Sequence, residues 1–185
     1  MKKILALLLI NIITIINAQT YPLRTYGIDF PKDSYVKDTN NELVNYEGAW
    51  KGQWNNKNFE INFIKIKKCI NHIETRPYYK DIIIGKFKVT DQNNSVLFDN
   101  TSLLNDNAKI EGGGFKKTDG KYSLTYSDPD ICYMWGIITI NFTDSNKNKL
   151  HWNFSDMTDM LTPDCPYLNT IFPEPLPKDI VLTKQ

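Results

Sequence analysis

This chain lacks an excess of charge of either sign, since it has 22 lysines and arginines and 21 aspartates and glutamates. A surface that binds nucleic acid is expected to be basic, so we expect no nucleic-acid partner. Long apolar runs are also lacking after residue 18. Crossing a bilayer takes about 20 apolar residues, so we expect no membrane span in the mature chain.

The apolar run near the N-terminus has the layout of a secretory signal peptide. Lys2 and Lys3 precede apolar residues 4–16, and Ala18 offers a small residue at a cleavage site. An uncleaved anchor is the weaker alternative, because this run is too short to span a bilayer. We expect cleavage before Gln19 and export to the periplasm or beyond the cell. Loss of two lysines leaves 20 basic residues against 21 acidic ones.

Helical periodicity is scarce, and alternation of apolar and polar residues takes its place. The alternating segments are 59–63, 87–89, 122–126, 138–142 and 150–154. Turn residues separate them at Asn55-Asn56, Asp91–Asn94, Asp119-Gly120 and Asp144–Asn148. This pattern predicts an all-β fold, antiparallel and mostly up-and-down, in a curled sheet or barrel of roughly eight to ten strands.

Local departures from the pattern carry predictions of their own. Between Phe63 and Ile64 the apolar residues switch from odd-numbered to even-numbered positions, and so to the other face of the strand. This switch predicts a β-bulge or a bend. Ser155 to Leu161 is the best candidate for a single helical turn, and residues 180–183 for a closing or edge strand. We divide the chain into a signal peptide (1–18), an irregular N-terminal arm (19–45) and one β domain with a proline-rich tail (46–185).

The chain has three cysteines, and an odd number leaves one without an intramolecular partner. We favour a disulfide between Cys132 and Cys165, because each follows a turn bearing aspartate and proline. The two other pairings stay open. In the favoured pairing, Cys69 is expected to be a small buried apolar residue.

Residues 46–54 contain a Gly-x-Trp motif, Gly48 to Trp50, which resembles the opening strand of lipocalin-type (calycin) barrels. The mature chain as a whole resembles a family of small exported flavobacterial proteins of unknown function. The segments that carry this resemblance are 46–54, 84–90, 96–99, 126–132 and 178–184. The resemblance implies an exported, calycin-like β domain and brings no catalytic residues with it.

Aromatic residues are the candidate ligand contacts, although aromatics on strands often belong to the core. We name Trp50, Trp54, Tyr79 and Trp135, and Tyr78 and Tyr133 could extend an exposed platform.

Other motifs are weaker. Cys69 and His72 have the Cys-x-x-His spacing that could provide half of a zinc site. His151 alternates with the apolar residues around it, which predicts that its side chain faces outward. Asp128 and Asp130 fit a turn, and Gly112–Gly114 fits a strand connection or a bulge. We therefore assign no catalytic residue, metal or cofactor.

The function that these observations favour is an exported, non-enzymatic β-barrel binding module. Its partner is an unspecified protein, glycan or small molecule, and we expect a monomer. The alternatives are a lipocalin-like carrier of a small apolar ligand and, more remotely, a glycan-active enzyme. The carrier requires an interior cavity, because pockets for small ligands measure about 300–1,000 Å³.

Overall fold

The computed structural model describes residues 19–71, 74–158 and 161–185, so the expected signal peptide lies outside the described residues. The described residues form eleven strands and three short 3-10 helices. The strands are β1 (Thr20–Pro22), β2 (Tyr35–Lys37), β3 (Gly48–Trp54), β4 (Lys57–Ile70), β5 (Tyr78–Thr90), β6 (Val96–Asp99), β7 (Ile110–Phe115), β8 (Tyr122–Asp128), β9 (Met134–Phe142), β10 (Lys149–Asp156) and β11 (Asp179–Lys184). The 3-10 helices are Leu43–Asn45, Asn105–Asn107 and Pro129–Ile131.

Eight strands close into an antiparallel barrel in the order β3, β4, β5, β7, β8, β9, β10, β11, and β11 pairs back onto β3. Spatial neighbours follow the chain order except where β6 intervenes. The prediction of an all-β, mostly up-and-down barrel is confirmed. The expected strand at 180–183 is also confirmed, since β11 closes the barrel between β10 and β3.

Two joints in this barrel are short. The paired residues there are Thr183–Lys51 and Lys184–Trp50 between β11 and β3, and Ile84–Glu111 and Gly85–Ile110 between β5 and β7. Every other joint is longer, and β4 and β5 pair along nearly their full lengths. The barrel therefore consists of two curved meanders, β3–β5 and β7–β11, that meet along two short seams.

Alternation places one face of each strand inside the barrel. Phe59, Ile61 and Phe63 on β4 all point inward and are at most 1% exposed. Gly85 lies opposite Phe63, and a Cβ there would come within 2.8 Å of the Ile61 side chain. Glycine suits this position because core side chains from both neighbouring strands, Ile61 of β4 and Ile110 of β7, approach its backbone. Each large side chain buried in this way contributes about 1.5–3 kcal/mol.

The turns form as their residue types predict. Asn55 and Asn56 alone connect β3 to β4, with φ of 44° and 61°, which is the left-handed backbone that a two-residue hairpin turn needs. Gly120, with φ of 70°, lies in the hairpin between β7 and β8. In the β9–β10 turn, the Asp144 carboxylate accepts hydrogen bonds from the backbone of Asn148 and Lys149.

Of the two alternatives predicted near Ile64, a bulge or a bend, the bulge is absent, because the β4–β5 register runs unbroken from Asn58–Thr90 to Ile70–Tyr78. The apolar residues change face here because β4 and β5 carry an apolar patch on the outer side of the barrel. Ile64 and Ile66 face outward beside the buried Ile84 and Ile82 of β5. Two lysines on that outer face, Lys68 and Lys80, reach across to Glu111 and the Gly113 carbonyl of β7. Their aliphatic stems shield this outer apolar patch from water.

Two further predictions were wrong. Cys69 is exposed. Beyond Phe63, the last β4 residue that pairs with β3, the strands β4 and β5 continue as a two-stranded ribbon. A residue on the inward face of this ribbon is not buried, because no barrel wall lies opposite it. Ser155 and Asp156 continue β10 as strand, so no helical turn begins at Ser155. Asp159 and Met160, within that predicted turn, lie outside the described residues.

The N-terminal arm covers one end of the barrel, which we call the arm end. β2 pairs in parallel with Tyr79 and Lys80 of β5, and β1 pairs in parallel with β2, which the sequence did not predict. The Asp81 carboxylate fixes the arm, accepting hydrogen bonds from the Tyr35 hydroxyl at 2.5 Å and the Asp38 backbone at 2.9 Å. Burial and this hydrogen bond raise the pKa of Tyr35 to about 12.

The proline-rich tail, residues 161–178, covers the opposite end, which we call the tail end. The predicted Cys132–Cys165 disulfide is confirmed and ties the tail to the β8–β9 connection. The Trp152 indole nitrogen donates to the Pro177 carbonyl at 2.8 Å, and the Phe154 backbone N–H donates to the Lys178 carbonyl. The tail is therefore held at Cys165 and again at Pro177 and Lys178.

Candidate functional site

The barrel interior is filled by aromatic rings in two groups. The group toward the arm end, with ring centroids 4.4–6.4 Å apart, comprises Tyr46, Trp50, Phe115, Tyr122 and Phe142. The group toward the tail end, with ring centroids 5.2–6.2 Å apart, comprises Phe59, Phe87, Tyr126, Trp152 and Phe154. Aliphatic side chains such as Ile138 and Ile140, both fully buried, belong to the same cluster. An eight-stranded barrel can be filled by its own side chains in this way.

Several polar side chains in this core have partners in the protein. The Trp50 indole nitrogen donates to the Tyr46 carbonyl at 2.7 Å, which fixes the indole across the arm end. The Tyr126 hydroxyl donates to Asp128 at 2.7 Å, and Lys109 bridges Asp128 and Asp130. Burial, followed by the charge of Asp128, raises the pKa of Tyr126. These contacts serve the packing of the core.

The outer wall over β11, β3, β4 and β5 carries a polar groove of about 680 Å³, which we call the outer groove. Outward side chains in two cross-strand rows line it. The first row is Gln53, Asn58 and Thr90, and the second row is Lys51, Glu60 and Lys88. Asn94 from the β5–β6 turn, Thr183 and Gln185 also line it, so the groove crosses the seam between β11 and β3.

The first row is joined by hydrogen bonds between side chains. The Gln53 amide donates to the Asn58 oxygen at 2.7 Å, and the Asn58 amide donates to the Thr90 hydroxyl at 3.4 Å. Among the described residues, the Gln53 side-chain oxygen has no hydrogen-bond donor. The row thus presents fixed donors and acceptors, with an acceptor left over at one end.

The second row is balanced in charge. Lys51 pairs with Glu60 at 3.1 Å, and Lys88 pairs with Asp99 of β6 at 3.5 Å. Hydrogen bonds from Thr101, and then the charge of Lys88, lower the pKa of Asp99. Exposed ion pairs of this kind contribute at most about 1 kcal/mol, so a ligand can exchange with either partner at little cost.

A second hollow of about 440 Å³ continues the outer groove toward the tail end and shares Gln53 and Asn58 with it. Trp54 lines this hollow and is half-buried. Its ring packs edge-on against Phe59, with centroids 6.1 Å apart, and the Lys57 ammonium lies 5.2 Å from its centroid. Trp54 shares the inward phase of Trp50 and Gly52 on β3, so its indole packs against the tail end of the core and only borders the outer groove.

The four aromatic residues named from the sequence do not meet at one site. Trp50 is fully buried in the core. Trp54 lies beside the outer groove, and Trp135 lies at the tail end on β9, where it is 41% exposed. Tyr79 is at the arm end, and the Lys67 ammonium lies 4.4 Å from its ring centroid. Ligand binding by any of them stays a prediction.

The other motifs have structural roles where the structure describes them. His151 faces outward as predicted, and within the described residues its ring hydrogen-bonds only Asp179. Asp128 caps the turn that follows it by accepting from the Asp130 backbone. The β7–β8 register shifts between Gly112 and Gly114, which confirms the predicted bulge.

His72 lies outside the described residues, so the half zinc spacing with Cys69 has no structural counterpart here. No group of three or more potential metal ligands occurs in residues 19–71, 74–158 and 161–185. No helix within these ranges has the length and apolarity that crossing a membrane requires.

Sequence reasoning missed the residues of the outer groove. Gln53, Asn58, Glu60 and Lys88 occupy the outward positions of alternating segments, and polar residues there are ordinary for any solvated strand face. Asn58 and Lys88 become neighbours of Thr183 only because the barrel closes. No local signal could have found this juxtaposition.

Fold and surface together define a closed eight-stranded antiparallel barrel with a filled interior, covered ends and a polar groove on its outer wall. Over residues 1–185 the sequence matches a family of unknown function, DUF6705, and the chain belongs to that family. Comparisons with curated proteins and with solved structures gave no match.

Proposed function

We propose that the protein is an exported, non-enzymatic binding module, and that its outer groove holds a neutral, hydroxyl-rich ligand, a glycan. One observation carries this proposal. The amide row of Gln53, Asn58 and Thr90 lies in a groove on the outer wall of a barrel with a filled interior.

The filled interior directs ligand binding to the outer wall. A carrier of a small apolar ligand would need space where Trp50, Phe63, Phe87, Leu124 and Ile140 are all at most 2% exposed within one buried cluster. The arm and the tail cover the two barrel ends. We therefore favour the binding module over the carrier.

The chemistry of the outer groove favours a neutral ligand. Sugar hydroxyls both donate and accept, which matches a surface of amides, a hydroxyl and charge pairs of opposite sign. Lys51 and Lys88 are balanced by Glu60 and Asp99, so the groove offers an anionic polymer little net attraction.

Two features support export. The first 18 residues have the signal-peptide pattern described above. The Cys132–Cys165 disulfide is of a kind that persists in oxidising compartments.

The enzyme alternative has less support. Within the described residues, the His151–Asp179 pair on the outer wall has no serine or cysteine within hydrogen-bond distance of the ring. A general base requires its nucleophile within that reach.

The test is native-gel affinity electrophoresis of the mature chain through gels that contain dextran, starch, laminarin or, as the anionic comparison, heparin. We expect retardation by a neutral polysaccharide. Asn58→Ala removes the amide at the centre of the first row and should weaken binding about two- to tenfold, as expected for the loss of one or two hydrogen bonds. Gln53→Ala removes the neighbouring amide of the same row and should weaken it as well.

Thr139→Ala is the matched control, since Thr139 is a half-buried outward residue on β9, away from the groove. It should bind like the unmodified chain. Retardation by no neutral polysaccharide, or retardation that Asn58→Ala and Gln53→Ala leave unchanged, would contradict the proposal. Thermal melting of each variant checks that the fold is intact.

A further inference from the structure

A separate pocket of about 130 Å³ lies at the tail end, between the ends of β9 and β10 and the tail. Met134, Phe154 and Phe172 give it apolar walls, and Asp156 and Glu174 add two carboxylates. Both of these acidic residues are exposed, so the carboxylates lie at the solvent margin of a pocket that is part polar and part apolar. We call this the tail pocket.

The size of the tail pocket limits its occupant. Pockets that enclose a whole small-molecule ligand measure about 300–1,000 Å³. A space of about 130 Å³ suits a single side chain instead. An apolar wall with carboxylates at its margin suits a side chain with an aliphatic stem and a cationic head, which describes lysine and arginine.

The local charge has the sign that such a side chain requires. Lys178 is the one basic residue that lines the tail pocket, against Asp156 and Glu174. Among the described residues, Asp156 has no salt-bridge partner, and its carboxylate accepts one hydrogen bond, from the Thr158 backbone. The tail pocket therefore carries an uncompensated negative charge.

Exposed aromatic residues flank the tail pocket. Tyr133 is 73% exposed, and Trp135 is 41% exposed. Trp135 lies close to the carboxylate side of the pocket, because its carbonyl accepts a hydrogen bond from Met157, the residue after Asp156. Aromatic faces attract ammonium and guanidinium groups, so these rings extend the preference for a cation beyond the pocket.

We propose that the tail pocket binds a lysine or arginine side chain from a basic segment of a partner protein, and that Trp135 and Tyr133 contact the flanking residues of that segment. The tail wall of the pocket lies between two anchors, the Cys132–Cys165 disulfide and the Trp152–Pro177 hydrogen bond. The pocket is thus preformed, which lowers the entropic cost of binding.

The test is fluorescence anisotropy of a fluorescein-labelled hexalysine peptide titrated with the mature, disulfide-bonded chain at physiological ionic strength. Hexaglutamate with the same label is the peptide control. We expect hexalysine to bind and hexaglutamate not to bind. Asp156→Asn and Glu174→Gln keep the side-chain shapes and should each weaken hexalysine binding about two- to fivefold, the range that exposed charge pairs contribute.

Asp119→Asn is the matched control, because Asp119 is an exposed carboxylate in the β7–β8 turn at the arm end. Equal weakening by Asp119→Asn, or unchanged binding in the Asp156→Asn/Glu174→Gln double variant, would overturn the proposal by showing diffuse electrostatic attraction. Displacement of hexalysine by an equal concentration of methylammonium would overturn it in favour of a small-amine site. Asn58→Ala should leave hexalysine binding unchanged, which separates this test from that of the outer groove.

Discussion

Removal of the Cys132–Cys165 disulfide is the sharpest test of how the tail end is held together. The two cysteines are 33 residues apart in sequence, and the closed loop contains β9 and β10. On the chain-entropy model a loop of this length stabilises the folded state by about 4 kcal/mol, because the cross-link restricts the unfolded chain. For a domain of this size, that loss corresponds to a melting temperature lower by about 8–16 °C.

The perturbation is the Cys132→Ala/Cys165→Ala double variant, and the assay is urea unfolding followed by tryptophan fluorescence. Trp50 and Trp152 are fully buried, so their emission reports loss of the core. Cys69→Ser is the matched control. It alters the exposed free cysteine and should change the free energy of unfolding by less than about 0.5 kcal/mol. A loss below about 1 kcal/mol in the double variant would refute the reasoning.

Four further predictions concern the core, the buried hydroxyls and the two proposed sites. In Gly112→Ala the new methyl would lie 2.8 Å from a backbone oxygen, so urea unfolding should show a free energy of unfolding lower by about 1–3 kcal/mol. Gly113→Ala is the control and should show a far smaller loss, because the nearest atom to its methyl lies at 3.5 Å. Burial raises the pKa of Tyr35 and Tyr46 to about 12 from the ordinary 10, so the unfolded chain loses these protons first. Stability should therefore be full below about pH 10 and fall as the pH rises toward 12, with tyrosinate absorbance following unfolding. Ionisation of every tyrosine near pH 10 in a chain with native circular dichroism would contradict this. The outer groove should retard the chain in a neutral polysaccharide gel, and the tail pocket should bind hexalysine, with the variants given above as checks.

Alternation of residues on single strands predicted the fold class because it needs no knowledge of strand partners. The inward rows on β4 and β8 and the turns at Asn55-Asn56 and Asp119-Gly120 could be identified from neighbouring residues alone. Cys69 could not be placed, because its inward phase buries a residue only where the barrel has a wall opposite. The ribbon of β4 and β5 extends beyond that wall, and only the register with β3 shows where the barrel ends.

The arm illustrates a second limit. Its two strands are three residues long and parallel, and parallel pairing between short segments leaves no alternating pattern to recognise. What holds the arm is the hydrogen bonding of Asp81 with Tyr35 and the Asp38 backbone, between residues far apart in sequence. Ordinary polar residues acquire this role only through the fold.

The outer groove depends on closure of the barrel in the same way. Thr183 belongs to the last strand and Lys51 to the first strand of the barrel, and these two residues pair at the short seam between β11 and β3. A ligand that contacts Thr183 and Asn58 together would therefore bridge both meanders. The groove cannot exist on either meander alone, because each contributes part of its lining. Binding at this surface and closure of the barrel at the seam are thus expected to stabilise one another.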